Sequence, residues 1–210
     1  MSSATYDAVV LAGGAARRMN GCDKTRLLVG AATLLDRALT ATVGAARTVV
    51  VGDERPVTRP VEWTRESPAG AGPVAALAAG LGLVTAPVVV VLAADMPFVS
   101  AGVVDRLLAP LAARAAASEP CDGAVLVDGD GREQWLCGAW RSDVLRARPL
   151  PAGGSLRQAL GPLRFARVPD PGDGLPAWLD CDTPVDLDRA EQLLVHPQPA
   201  ADDPRRSARR

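Results

Sequence analysis

Pro87-Val88-Val89-Val90-Val91-Leu92-Ala93 carries an apolar residue at every position and runs directly into Ala94-Asp95-Met96-Pro97-Phe98. The run is too short to span a bilayer. It also lacks the polar alternation of a strand with one face in water. It therefore reads as a strand covered on both faces, the pattern of a central parallel strand under helices. Its end delivers Asp95. In open α/β sheets, ligands lie beyond the carboxyl ends of such strands.

Working outward, the flanking segments read as helices. Gly72-Pro73 opens an Ala/Leu-rich helix predicted to reach about Val84, with Pro suited to the first turn. Ser100 caps a second helix predicted to reach about Ala116. Further upstream, Ala4 to Ala12 is a short apolar run closed by Gly13-Gly14, as a buried strand would be. Thr33 to Val43 has helical spacing, with Gly44 as its stop. Thr48 to Val51 is a strand closed by Gly52-Asp53, and Val61 to Thr64 a shorter one. Alternating strands and helices predict an α/β fold: one mostly parallel sheet with helices on both faces.

The second half reads differently. Gly123 to Val127 and Gln134 to Trp140 flank the turn Asp128-Gly129-Asp130-Gly131, which predicts a small antiparallel insertion or edge. Ser155 to Leu160 is a short helix and Leu163 to Val168 a strand. Thr183-Pro184-Val185-Asp186 starts a helix predicted to reach Val195, with Thr capping, Pro first and Asp third. Residues 1–195 are predicted to form one domain. From His196 to Arg210 the chain has no periodicity and reads as a disordered tail.

Composition narrows the function. The 210 residues are 48% hydrophobic but only 3% aromatic, so Ala, Val and Leu must build the core. A net charge of -1 gives no electrostatic case for nucleic acid or an anionic membrane. Asp7 interrupts the first apolar run, so no signal peptide is read there, and a cytoplasmic protein is expected. Cys22, Cys121, Cys137 and Cys181 form no C-x-x-C pair, and His196 is the single histidine, which argues against zinc. It also argues against a histidine general base.

Four segments can carry chemistry. Leu11-Ala12-Gly13-Gly14-Ala15-Ala16-Arg17-Arg18-Met19-Asn20-Gly21-Cys22-Asp23-Lys24 puts glycines after a strand, where backbone N–H groups can approach an anion, and adds Arg17, Arg18 and Lys24. It matches neither the P-loop nor the G-x-G-x-x-G pattern, and it also reads as an ordinary strand-to-helix loop. Asp95 is well placed for Mg²⁺, a hard cation that uses one or two carboxylates plus substrate phosphates; it also reads as a turn cap. In Asp180-Cys181-Asp182, two carboxylates spaced by one residue share a side of an extended segment, so Asp182 could join Asp95 on the metal; both acids also read as solvent-facing. Glu66-Ser67-Pro68-Ala69-Gly70-Ala71-Gly72-Pro73 could lie flat against a base or ribose, or simply connect. For a second substrate, Gln134, Trp135 and Gly153-Gly154-Ser155-Leu156-Arg157 are candidates, the last equally a plain capped helix.

In order along the chain these motifs are G-G-x-x-x-R-M-x-G-x-D-K, G-P before an Ala-rich helix, D-M-P-F after a strand, and D-x-D-T-P-x-D-L. Together they resemble the molybdenum cofactor guanylyltransferases over roughly residues 5 to 195. The resemblance implies a Rossmann-like fold of the nucleotide-diphospho-sugar transferase type. It implies transfer of GMP from Mg-GTP to the terminal phosphate of molybdenum-bound molybdopterin, with release of pyrophosphate. Leu11, Ala12 and Gly13 would contact the base, and Lys24 phosphate. Asp95 would bind nucleotide and Mg²⁺, and Glu66 would stand for the acidic residue before the Gly-Pro loop. With Gly14 and Gly72 these form the expected nucleotide site. Arg18 and Lys24 would neutralise charge on the leaving pyrophosphate, making Arg18, Lys24 and Asp95 the catalytic set. Partners would be GTP, a molybdopterin-type acceptor and, transiently, other molybdenum cofactor proteins, with a monomer as the simplest state. Four positions depart from the family: Asn20 replaces a glycine, Asp180 and Asp182 replace the asparagines of N-x-N-T-P, and Gly52 replaces an asparagine after the second strand. Rival readings are a cytidylyltransferase for molybdopterin, a guanylyltransferase for another phosphorylated acid, a sugar-phosphate nucleotidyltransferase, and a non-catalytic nucleotide-binding protein of the same fold.

Overall fold

A computed structural model describes residues 5–13, 24–114, 121–172 and 174–197. The predicted loop residues Gly14, Ala15, Ala16, Arg17, Arg18, Met19, Asn20, Gly21, Cys22 and Asp23 lie outside the described residues. So do Ala4, the expected helix end at Ala116 and the tail from residue 198.

Strands β1 (Tyr6–Leu11), β4 (Thr48–Val51), β5 (Glu62–Thr64), β6 (Val88–Ala93), β7 (Gly123–Val127), β8 (Glu133–Arg141) and β9 (Phe165–Pro169) form one sheet, in the order β5-β4-β1-β6-β8-β7-β9. A separate two-stranded hairpin joins β2 (Leu28–Val29) to β3 (Ala32–Thr33). Helices are α1 (Leu34–Ala41), α2 (Pro73–Leu81), α3 (Ala101–Arg114), α4 (Ser142–Arg146), α5 (Leu156–Leu160) and α6 (Pro184–Val195).

The apolar run quoted first is β6, and all six of its residues are buried. It pairs parallel with β1, from Tyr6↔Val88 to Leu11↔Ala93, and antiparallel with β8, from Val88↔Arg141 to Leu92↔Cys137. Its alternate side chains serve opposite faces, as a pleated strand requires. Val90 and Leu92 pack with Val103, Val104 and Leu107 of α3. Val89 and Val91 pack with Val74, Leu77 and Leu81 of α2. Each such side chain contributes about 1.5–3 kcal/mol on full burial. Helix α1 covers the same face as α3, through Leu35, Ala38 and Leu39 against Val10 and Val50. The predicted α/β sheet with helices on both faces is the observed fold.

Asp7 does not break β1. It is buried, and its Oδ2 accepts from the N–H groups of Thr85 at 2.7 Å and Ala86 at 2.9 Å. It thereby fixes the loop that enters β6. At the other side of β1, Gly80 lets α2 sit close, since a Cβ there would stand 2.5 Å from Val9 Cγ1.

The observed elements differ from the expected ones at several places. In the main sheet the strand that runs against the others is β8, and it is interior, paired with both β6 and β7 rather than forming an insertion or edge. Strands β7 and β9 pair parallel with each other. Thr33 caps α1 from outside it, its hydroxyl accepting from Asp36 N–H at 3.0 Å, and the helix ends at Ala41. Helix α2 stops at Leu81, before Gly82 and short of Val84. The strand expected from Leu163 begins at Phe165. Among the described residues, no helix is long and apolar enough to cross a membrane.

Candidate active site

Strands β1, β4, β5 and β6 run the same way, so Gly13, Gly52, Glu66 and Asp95 all emerge at one carboxyl edge. Because β8 runs the other way, its first residues, Glu133 to Trp135, reach that same edge. The edge is where an open α/β sheet has room for a ligand.

The nucleotide half is built on β1. Leu11 and Ala12 are buried, and their main chain is engaged: Ala94 N–H donates to Leu11 O at 3.0 Å, and Ala12 N–H donates to Val51 O at 2.9 Å. Gly13 is exposed and is the first residue to leave the sheet. Both carboxylate oxygens of Glu66 lie 3.8 Å from where a Cβ on Gly13 would stand, which places the acid directly beside Gly13. Glu66 Oε1 also accepts from Gly70 N–H at 2.9 Å, which orients the carboxylate. Gly72, with φ of 93°, precedes Pro73 at the start of α2, and a Cβ there would meet nothing within 4 Å. Gly52 is different. A Cβ on it would stand 3.1 Å from Ala12 C and O, so the site has a close backbone contact where the resemblance expected an asparagine side chain.

Lys24 opens a 3-10 turn, Lys24–Arg26. The guanidinium of Arg55 donates to Thr25 Oγ1 in that turn, to Asp53 O at 2.9 Å, and lies 5.9 Å from the Trp63 ring. The turn carrying Lys24 is thus tied to the loop after β4, at the carboxyl edge. Gly14 and Arg18 lie outside the described residues.

The second half is a cleft of about 500 Å³ whose walls include Asp95, Gln134, Trp135, Arg157, Asp180 and Asp182. Asp95 and Asp182 therefore meet in one cavity. Their approach is fixed through the main chain: Cys181 N–H donates to Asp95 O at 3.0 Å. Cys181 is fully buried, so the acids on either side of it turn outward toward the cleft. The start of α6 holds the segment from the other end. Asp186 Oδ2 accepts from Asp182 N–H at 3.1 Å, Thr183 N–H at 2.7 Å and Thr183 Oγ1 at 2.7 Å. The Thr183 hydroxyl, then the Thr183 and Asp182 N–H groups, hold the Asp186 carboxyl below its usual range against the opposing effect of burial.

Of the other candidates, Gln134, Trp135, Ser155, Leu156 and Arg157 line this cleft. Gln134 Nε2 donates to Asp128 Oδ2 at 3.2 Å. Gly153 N–H donates to Ala71 O at 2.8 Å, connecting the 151–155 loop to the loop before α2. Ser155 is a simple cap, accepting from Gln158 N–H at 3.1 Å, and α5 behind it has five residues. Glu133 and Trp178 line the cleft without having been anticipated.

Four carboxylates, Asp95, Glu133, Asp180 and Asp182, line the cleft against one arginine, Arg157, so a polyphosphate entering here needs further cations with it. Among the described residues, no group of three or more His, Cys, Asp or Glu could by itself hold a metal ion. The cleft donors are oxygens, which suits a hard ion carried partly by substrate phosphates rather than an all-protein cage. The described thiols are not part of this chemistry. Cys121, Cys137 and Cys181 are buried and in no disulfide among the described residues, and burial, with the Asp170 charge, pushes the Cys137 thiol up to about 12.

The family model described as the MobA-like NTP transferase domain matches residues 8–169. A molybdenum cofactor guanylyltransferase of Shewanella sediminis is 33% identical over 137 residues, covering 63% of this chain and 67% of that protein. One of Shewanella baltica is 29% identical over 133 residues, covering 61% of this chain and 65% of that protein. The chain thus matches about two thirds of the length of these curated relatives. Among solved structures, molybdopterin-guanine dinucleotide biosynthesis protein A from Archaeoglobus fulgidus superposes with a TM-score of 0.64 at 23% identity, covering 90% of this chain and 98% of that one. The 2-C-methyl-D-erythritol 4-phosphate cytidylyltransferase of Thermus thermophilus superposes with a TM-score of 0.61 at 24% identity, covering 89% and 98%. At these identities the structural likeness establishes the fold.

Proposed function

The chain belongs to the MobA-like NTP transferase family and is a nucleotidyltransferase; from that premise we propose that it transfers GMP from GTP to the terminal phosphate of a molybdopterin-type acceptor carrying molybdenum, releasing pyrophosphate. The observation that carries this reading is the Cys181–Asp95 main-chain bond, which puts Asp95, Asp180 and Asp182 in one cleft next to the end of β1. The names of the guanylyltransferase relatives support the choice of nucleotide and acceptor.

In the proposed reaction, an oxygen of the acceptor phosphate attacks the α-phosphorus in line. The bond from that phosphorus to the α,β-bridging oxygen breaks, and its electron pair leaves with pyrophosphate. A phosphate is already ionised near neutral pH, so the step needs no general base. This agrees with a chain whose single histidine, His196, ends α6. The protein's work is then orientation and charge stabilisation. Gly13 with the loop after it would take the nucleotide. Glu66 would orient the base or ribose, and Lys24 and Arg18 would offset charge on the leaving pyrophosphate. Asp95 and Asp182 would hold Mg²⁺, which supplies charge neutralisation on the phosphates when bound.

Pyrophosphate release is the direct test, measured with GTP, CTP and ATP in turn against molybdenum-loaded molybdopterin. The reading expects release with GTP in large excess over the others. Equal release with CTP would replace it by a cytidylyltransferase, an outcome that the side-chain-free contact of Gly52 makes worth including. Release with no triphosphate would leave only nucleotide binding.

A further inference from the structure

Beside the main cleft lies a second cavity of about 430 Å³, lined by Glu133, Trp135, Arg157, Gln158, Pro162 and Phe165. The two share Glu133, Trp135 and Arg157, so they meet around the start of β8 and the exposed side of α5. The side cavity is within the size range of small-molecule pockets.

Strand β8 is distorted where it enters this region. Its pairing with β7 jumps from Val125↔Gly138 to Leu126↔Gln134, leaving Trp135, Leu136 and Cys137 without partners on β7. Such bulges re-aim side chains and are frequent beside active sites. The re-aimed indole of Trp135 is half-buried, and its orientation is set by Phe165, whose ring meets it edge-on at 5.3 Å and 74°. Phe165 is in turn packed against the fully buried Trp140, at 6.1 Å. Glu133 is steered by Arg167, 3.2 Å away. A rigid aromatic wall, an oriented carboxylate and an arginine at the junction suit one kind of ligand. That ligand is a flat nitrogen heterocycle with ring N–H donors, joined to an anionic group that remains in the main cleft.

We propose that this side cavity binds the planar ring end of the acceptor, stacked on Trp135, with Arg157 at the bend between ring and phosphate. The proposal rests on the acceptor reading above and deepens it. It gives Trp135 a role in acceptor affinity that is separate from nucleotide binding, because the nucleotide half lies across Asp95 at the end of β1.

The test is equilibrium titration of the full chain with a free pterin, followed by fluorescence, alongside a GTP titration of each protein. Wild type is expected to bind the pterin. Trp135→Ala should weaken it roughly tenfold or more, as expected for loss of one ring-stacking contact, while Trp135→Phe retains most of the affinity. Gln158→Trp, an exposed position on α5, should block the cavity without touching the Trp135 wall. GTP affinity should be the same in all four proteins. Pterin binding that is unchanged in both Trp135→Ala and Gln158→Trp overturns the assignment, as does absence of pterin binding by a wild type that binds GTP. If wild type binds no GTP, the proposed function fails instead.

Discussion

Cys181 donates its backbone N–H to the carbonyl oxygen of Asp95 at 3.0 Å, joining the end of the central strand to the segment that precedes the last helix. The bond uses main chain on both sides, so it sets where Asp95, Asp180 and Asp182 stand without consuming a carboxylate. The buried Cys181 side chain anchors it from beneath, packed with Leu179, Ala190 and Leu193.

Asp95→Ala is expected to remove most of the turnover while the protein stays folded. The Asp95 main chain, which makes the bond to Cys181, survives the substitution. Loss of one charge-stabilising group typically costs about 2.7–4 kcal/mol of barrier, a factor of about 10²–10³ in kcat. Steady-state kinetics together with circular dichroism would check this. Wild-type turnover in the variant would remove Asp95 from the reaction.

Lys24→Ala is expected to lose most of kcat/KM, on the order of a hundredfold. The turn that bears it is held to the loop after β4 by Arg55, so the backbone position should persist. A rise in acceptor KM alone would assign Lys24 to the other substrate.

Gly123→Ala should destabilise the fold and leave the chemistry intact. A Cβ at Gly123 would overlap the Trp140 ring, which is fully buried. Overpacking of this kind costs about 1–3 kcal/mol, a loss of several degrees in Tm for a chain of this size. Thermal unfolding measures the first effect, and activity per folded molecule at low temperature the second.

The cap of α6 gives an acid-side pH dependence. Hydrogen bonds from Thr183 hold the Asp186 carboxyl lower in the folded chain than in the unfolded one. Its stabilisation is therefore complete above the ordinary aspartate range and is lost as pH falls through the depressed folded value. Asp186→Asn should be less stable than wild type at neutral pH, by about 0.3–1.5 kcal/mol, and the difference should shrink in acid. Denaturant unfolding at neutral and at low pH would register it. A constant difference across pH would show that the ionised carboxylate contributes nothing.

These expectations rest on parts of the chain that were legible to different degrees. Strand β6 was legible because a strand covered on both faces must be apolar throughout, and Val88–Ala93 has no competing pattern. The α6 cap was legible because Thr183, Pro184 and Asp186 each suit one cap position, and the structure forms that capping box. The place of β8 was not legible. Nothing local in Glu133–Arg141 says that it will be gripped between β6 and β7, because strand order is decided by tertiary pairing. The β2–β3 hairpin and α4 are too short to show a period. In the candidate site, Asp95 and Asp182 were named from their motifs, but only the fold brings them to one cleft. Trp178 and Glu133 belong to no motif and enter the cleft through packing.

The central claim is that a polyphosphate held beyond β1 shares a metal ion with the acid beyond β6. Calorimetric titration of GTP into wild type and Asp95→Ala, each with and without Mg²⁺, tests it most directly. Mg²⁺ is expected to tighten GTP binding to wild type, and Asp95→Ala to lose this gain while keeping its Mg²⁺-free affinity. An undiminished Mg²⁺ gain in Asp95→Ala would contradict it.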